Sequence, residues 1–384
     1  MQIQTYNKIS NNGLLILEKN GFTHSENAEN PVGAMVRSAS LHETEFPESL
    51  LAISRAGAGT NNIPIDSCSQ KGIVVFNTPG ANANAVKELV LAGLLLASRK
   101  VVAGIEWAAT LKGRGDDVGP LVEKGKSAFV GPEIKGKTLG VIGLGAIGVL
   151  VANSANALLM KVSGYDPYLS VESAWNLTHS AHRATNMDEI FATSDYITIH
   201  VPLNGETKGF INKETIAKMK DGVRILNFSR AGLVNSEDMI EALNSGKVAS
   251  YVTDFPTDEL LGCNGVVSIP HLGASTPESE ENCAQMAAEE LCDYILNGNI
   301  AHSVNMPQIN LGEKKGKRIC VIHKNIPNMI TQITSALSGI NIENLLNKSR
   351  GEYAYSMLDV ATCDDEKVKN TLEKIEGIIR VRII

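Results

Sequence analysis

Three segments in the second half of the chain carry groups able to move a proton and hold an anion. Asn227-Phe228-Ser229-Arg230-Ala231-Gly232 brings a guanidinium, Thr253-Asp254-Phe255-Pro256-Thr257-Asp258-Glu259 brings carboxylates, and Pro270-His271-Leu272-Gly273-Ala274-Ser275-Thr276 brings an imidazole. Each follows an apolar run that reads as a buried strand, at Arg224–Phe228, Ala249–Thr253 and Val266–Ile269. Imidazole titrates near neutral pH and can take a hydroxyl proton. A carboxylate on its second nitrogen would fix the tautomer and stabilise the imidazolium. An arginine would grip a carboxylate with its planar fork and polarise a developing carbonyl. The set suits oxidation of an alcohol beside a carboxylate, with His271 as base, Glu259 as its partner and Arg230 as clamp.

Such an oxidation needs a hydride acceptor, and an earlier segment supplies a place for one. The apolar run Thr138–Ile142 leads into Gly143-Leu144-Gly145-Ala146-Ile147-Gly148 and then a helical stretch. A GxGxxG spacing in that setting has a mechanism. Gly143 permits a tight turn, Gly145 lets the backbone approach a pyrophosphate, and Gly148 allows close packing of helix on strand. The next strand, Lys161–Tyr165, ends at Asp166, about twenty residues on, where a carboxylate accepts from ribose hydroxyls and repels a 2′-phosphate. NAD is therefore expected over NADP.

These groups must be positioned by a sheet. Apolar strands alternate with helical stretches from about Lys137 to His271, which predicts a doubly wound parallel sheet. A similar alternation runs from Gly33 to Asn77, with strands at Ala34–Val36, Leu51–Ser54 and Ile73–Phe76, followed by a helix at about Ala83–Lys100 that is apolar nearly all round and so largely buried. After Pro277 an amphipathic helix ends near Asn297-Gly298-Asn299. Residues 305–317 read as a polar linker, and Arg318–Ile384 shows the ferredoxin-like order strand, helix, strand, strand, helix, strand. The net charge of −7 argues against nucleic acid and anionic membrane as partners, and the longest apolar run, Leu89–Ala97, is too short for a bilayer. Six scattered cysteines without a CxxC pair, and no signal segment, predict a cytoplasmic protein with reduced thiols and no metal site.

The quoted segments resemble the D-isomer-specific 2-hydroxyacid dehydrogenase family over nearly the whole chain. The resemblance implies two Rossmann-like domains, the nucleotide domain (91–272) inserted into a substrate domain (1–90 and 273–305). It carries the catalytic roles to Arg230, Glu259 and His271. It carries NAD contacts to Gly145, Ala146, Ile147, Asp166, His200, Pro202, Asn227, Ser229, Arg230, Asp254, His271 and Gly273. The family pattern Asp-Val-Phe-x-x-Glu is altered here to Asp254-Phe255-Pro256-Thr257-Asp258-Glu259, and alignment on Phe-Pro gives Asp258 as the alternative carboxylate. In the first domain, backbone amides of Arg55, Ala56 and Gly57, with Asn82, resemble the family's substrate loops. Arg55 and Lys87, with Lys124 and Lys126 further on, are cations for a substrate phosphate. Val321-Ile322-His323-Lys324-Asn325-Ile326-Pro327-Asn328 and Gly339-Ile340-Asn341-Ile342 resemble an ACT domain at 312–384. That resemblance implies L-serine as effector at His323, Asn325 and Asn341, a homodimer or homotetramer, and oxidation of 3-phosphoglycerate in serine biosynthesis, the alternatives being a dehydrogenase for another 2-hydroxy acid or a non-catalytic NAD-sensing binding protein. Where the ACT pattern has glycine, this chain has Asn328, which tolerates a left-handed backbone.

Overall fold

The computed structural model describes residues 1–384, which divide into two compact units, 1–82 with 277–384, and 83–276. The first unit opens with a parallel sheet of β1 (Gln2–Tyr6), β2 (Thr23–Ser25), β3 (Gly33–Val36), β4 (Ala52–Arg55) and β5 (Val74–Asn77), in the order β2-β1-β3-β4-β5. Helices α1 (Asn11–Lys19) and α2 (Ile65–Gln70) are among its connections. β1 has no apolar run to announce it. Its Gln4 is buried because the side-chain amide donates to Glu26 O at 2.7 Å and accepts from Ala28 N at 2.9 Å, leaving no unmet polar atom.

The second unit starts with α3 (Ala83–Ser98), α4 (Val101–Ala109) and α5 (Val118–Gly125). Lys124 lies on a helix and Lys126 on the 3₁₀ turn after it, and Lys126 pairs with Glu123. A parallel sheet follows, built from β6 (Thr138–Ile142), β7 (Lys161–Tyr165), β8 (His182–Arg183), β9 (Tyr196–Ile199), β10 (Val223–Asn227), β11 (Val248–Thr253) and β12 (Val266–Ser268). It is crossed by α6 (Ala146–Ala157), α7 (Val171–Asn176), α8 (Met187–Thr193), α9 (Lys213–Ala217) and α10 (Ser236–Asn244). The strand order is β12-β11-β10-β9-β6-β7-β8, so the winding reverses between β6 and β9, the switch point where doubly wound sheets bind ligands. All of α3 belongs to this compact unit. Gly93 explains it: any Cβ would stand 2.6 Å from the Phe228 ring, so the helix lies tight on β10.

The chain then returns to the first unit through α11 (Pro277–Asn297). Buried Ala284, Ala287 and Ala288 let α11 sit close, and Gly13 of α1 has no room for a side chain, since a Cβ would meet Ala284 O at 2.6 Å. β13 (Lys317–Lys324), α12 (Met329–Ala336), β14 (Ile342–Arg350), β15 (Tyr353–Val360), α13 (Asp365–Leu372) and β16 (Ile378–Ile383) form an antiparallel βαββαβ module with sheet order β14-β15-β13-β16. Asn328 takes φ +68°, the left-handed turn before α12. The linker is shorter than expected. Met306 and Ile309 are buried, and the Asn305 side chain bonds Val75 N, Ile73 O and Ser69 Oγ, so 305–309 belongs to the first sheet's core. The module shares that core: Tyr294 of α11 packs between Phe76 and Tyr355, at 5.7 and 6.5 Å between ring centres. Arg318, wholly buried, forms a two-pronged ion pair with Asp359 and bonds Asn297 O and Gly312 O, which engages four of its five N–H donors.

On α11 the buried Glu290 carboxyl lies 2.7 Å from His302 Nδ1, and burial pushes it up to about 9. It holds its proton at neutrality, hydrogen-bonded to the ring. The folded value lies above the ordinary 4.5 of an unfolded glutamate, so stability from the neutral group is complete at low pH and is lost as pH rises toward 9. Thermal unfolding followed from pH 6 to 9 should show a falling Tm for the wild type and a distinctly shallower fall for Glu290→Gln; parallel curves would refute the assignment.

Candidate active site

The glycine turn after β6 is shaped by contacts that only glycine allows. Gly143 has φ +91°, and a Cβ there would lie 2.5 Å from His200 O. At Gly148 a Cβ would stand 1.9 Å from Gly143 O, so the first turn of α6 presses directly on the loop it leaves. Gly145, by contrast, is exposed, and a Cβ there would meet no protein atom within 4 Å. Gly145, Ala146 and Ile147 thus present the start of a twelve-residue helix, with its free N–H groups, to an open space. Asp166, at the end of β7, ties this turn down: Oδ2 accepts from Leu144 N and Oδ1 from Tyr168 N, both at 2.8 Å. A carboxylate has about four acceptor positions, so two bonds leave capacity for sugar hydroxyls.

Across the switch point, His200 follows β9 and precedes Val201 and the exposed Pro202. Its Nε2 lies 2.9 Å from Thr198 Oγ1, while Nδ1 is shielded and without a protein partner. Some of the residue stays exposed, yet burial of the ring nitrogens pushes its pKa down to about 3, so the ring is neutral.

β10, β11 and β12 are consecutive neighbours in the parallel sheet, so their C-terminal loops begin within roughly 10 Å of one another. After β10, buried Asn227 shapes the turn by donating to Arg230 O (2.9 Å) and accepting from Ser229 N (3.2 Å), while Ser229 Oγ donates to Ile199 O (2.7 Å). Arg230 is exposed, with one guanidinium N–H on Ser229 O. After β11 comes Asp254, wholly buried: Oδ2 accepts from Gly273 N at 3.3 Å and Oδ1 has no protein partner. Burial raises its carboxyl above the usual carboxylate range, opposed by the positive fields of His271 and Arg230 and by the Gly273 amide. After β12, exposed His271 packs its ring against Phe255 at 4.6 Å. Imidazole, guanidinium and a buried carboxylate therefore act on one another at one end of the sheet.

Glu259 is not part of that cluster. It is exposed, its carboxyl is held low by the Thr257 hydroxyl and its own amide, and it makes no hydrogen bond to His271. Asp258 is equally exposed. The reason lies in the loop: the chain turns after Pro256 and buries Leu260, so both acids face outward. Phe255, which sequence reasoning used only for alignment, is the residue that braces the imidazole. Its place two residues past a strand end was the available signal.

Lys87, on α3 of the same unit, is mostly covered and lies 3.7 Å from Glu88. In the first unit, the expected amide cradle at 55–57 is already engaged. Arg55 is in β4, Ala56 N donates to Val36 O and Gly57 N to Arg55 O, each at 2.8 Å. Gly57 sits at φ +145° with the Arg55 guanidinium directly over it, so that cation, bonded to Arg37 O, stands at the loop. Asn82 is partly buried at the end of the loop after β5. In the module, His323 is buried with both nitrogens committed, Nδ1 to Lys324 O and Nε2 to Ser356 Oγ and Asn347 Oδ1, because the ring points into the sheet. It is not open to an effector, whereas Asn325 and Asn341 are exposed.

Fold and site together define a dinucleotide-binding α/β protein with an acid–base cluster at its strand ends. The family profile "D-isomer specific 2-hydroxyacid dehydrogenase, NAD binding domain" matches residues 91–273. A putative D-3-phosphoglycerate dehydrogenase of Schizosaccharomyces pombe is 30% identical over 87% of this chain and 73% of its own. D-3-phosphoglycerate dehydrogenases of Archaeoglobus fulgidus and Bacillus subtilis are 35% and 34% identical over 80% of this chain, which spans only 60% and 59% of theirs. A solved 3-phosphoglycerate dehydrogenase of Entamoeba histolytica with NAD⁺ bound covers 79% of this chain and 98% of its own, with 28% identity and a TM-score of 0.59. The chain belongs to the D-isomer-specific 2-hydroxyacid dehydrogenase family, and its second unit carries that family's NAD-binding domain. The residues present fit that cofactor: an open helix start at Gly145, spare acceptor capacity on Asp166, and shielded polar atoms on Asp254 and His200 that lack a protein partner.

Gly145→Val should leave the Tm nearly unchanged, since the side chain meets no protein atom, yet weaken NADH binding at least tenfold in a fluorescence titration. Gly148→Ala should instead lower the Tm. Undiminished NADH affinity in Gly145→Val would show that the cofactor does not approach this backbone.

Proposed function

We propose that this chain oxidises 3-phospho-D-glycerate to 3-phosphohydroxypyruvate with NAD, the entry step of serine biosynthesis, in the cytoplasm. The observation that carries the proposal is the grouping of Arg230, Asp254 and His271 on three neighbouring strand ends beside the glycine turn. The names of the relatives supply the substrate. His271 takes the hydroxyl proton, and Arg230 holds the substrate carboxylate and polarises the oxygen as it becomes a carbonyl. NAD, when bound, accepts the hydride leaving the same carbon. Phe255 keeps the imidazole in place, and Asp254 stabilises it electrostatically. Glu259 serves as the orienting carboxylate only if its loop turns inward when substrate binds. Arg55, Lys87 and Asn82 are the groups proposed to meet the phosphorylated end. All six cysteines are free thiols, which suits a reducing compartment.

The C-terminal module is proposed to be an ACT domain that pairs copies of the chain. In support, β14 is an open sheet edge of nine residues. Helix α4, Val-Val-Ala-Gly-Ile-Glu-Trp-Ala-Ala, buries none of its residues within one chain, which favours a homodimer or homotetramer. Because His323 is committed inside the module, pairing is the better supported role, and serine feedback would rest on Asn325 and Asn341.

Steady-state assays should give kcat/KM for 3-phosphoglycerate at least tenfold above glycerate and lactate, the margin expected from a charged hydrogen bond to phosphate. Equal rates would defeat the substrate assignment, and the same panel with L-serine tests feedback. His271→Ala should lose about 10²–10⁴ in kcat while NADH still binds. Glu259→Gln should alter the pH profile of kcat/KM if that carboxylate serves His271, and an unchanged profile assigns it no role.

A further inference from the structure

The first unit contains a cavity of about 1200 Å³ between the C-terminal module and the end of the first sheet. Its module side is β16 and α13. Its sheet side is Phe46, Glu48, Leu51, Lys71 and Ile73, with the end of α11 between them. Arg380 and Arg382 lie two apart on β16, so they share a face of the strand, and both line the cavity. Arg382 is only 9% exposed. Its donors go to Tyr294 O and Ile295 O, and its guanidinium lies 4.5 Å from the Tyr294 ring centre. Arg380 donates to Leu50 O. Neither arginine has a carboxylate within ion-pair distance, nor do Lys71 and Lys314 at the rim.

A cation taken out of water is costly without an anion, and proteins usually place a carboxylate beside it. The acids lining this cavity do not serve. Asp365 is held by Lys317 at 2.6 Å and Glu373 lies 3.8 Å from Lys369, while Glu48 and Glu366 are exposed. Glu48 reaches Arg380 only through its field. Arg380 and Arg382 thus line the cavity without a counter-ion, beside apolar side chains that include Leu51, Ile295, Leu296 and Ile379.

We propose that this cavity binds a small organic anion, its carboxylate or phosphate on Arg380 and Arg382 and its apolar body against these apolar side chains, at a site separate from the NAD-binding unit. A ligand here touches both the module and the first sheet, and so stiffens the packing of one on the other. Lys71→Ala removes an exposed cation that contributes little to the fold, and Arg380→Gln removes the half-buried cation that bonds Leu50 O.

Calorimetric titration of the full-length chain with phenyl phosphate and, separately, phenylacetate, at constant ionic strength, tests the site and distinguishes the two anions. At least one probe should bind saturably, one per chain. Arg380→Gln should weaken it about tenfold or more, Lys71→Ala at least threefold, and Arg230→Ala should leave it unchanged. No saturable binding overturns the proposal. So does binding altered less than threefold by both cavity variants, or binding lost in Arg230→Ala, which would place the probe in the catalytic cluster. If Arg380→Gln does not fold, the Lys71→Ala result decides.

Discussion

The close approach of backbone to backbone between Gly143 and Gly148 is the constraint on which the NAD-binding unit depends. The carbonyl of Gly143 occupies the space a side chain on residue 148 would need, and the left-handed turn at Gly143 brings His200 O against its α-carbon. Only this compression sets α6 close on its strand with its first N–H groups facing outward at Gly145. The Asp166 carboxylate fastens the same turn from β7. Three adjacent strands are thereby locked in relation to one helix end, and an anion that meets the helix start is placed along the edge where β10, β11 and β12 deliver Arg230, Asp254 and His271.

Buried charge recurs in this molecule, resolved differently each time. Arg318 has its counter-ion in Asp359 and two carbonyls besides. Glu290 avoids the cost by keeping its proton beside His302. Asp254 has one oxygen satisfied and one not, under the opposing pull of burial and of two cationic neighbours. Arg382 is eased by carbonyls and an aromatic face but has no counter-ion. The Arg318–Asp359 pair is structural. Asp254 and Arg382 are left with an interaction unmade, and burial alone does not distinguish them from Arg318.

Much of the sheet was legible because buried parallel strands must be apolar: Val74-Val75-Phe76 and Ile197-Thr198-Ile199 announce themselves. β1 did not, since its buried Gln4 is paid for by hydrogen bonds rather than by apolar character. The segment 305–309 looked like a linker for the same reason, its polarity being consumed by Asn305. In the site, the glycines, Asp166, Arg230, Asp254 and His271 could be named from spacing after strands. The standing of Glu259, of the 55–57 amides and of His323 could not, because each depends on which neighbour a side chain or N–H has already found.

By itself, the sequence determined which residue types occur at strand ends, where backbone must lack side chains, and that a dinucleotide-binding sheet is joined to a βαββαβ module; periodicity and glycine placement are local properties. Tertiary structure alone decided the partners: Phe255 against His271, Asp254 between two cations, His323 turned into its sheet, and two arginines of β16 facing a cavity. The physical reason is that hydrogen bonding and burial are competitions among groups far apart in the chain, and their outcome is set by packing that no local pattern encodes.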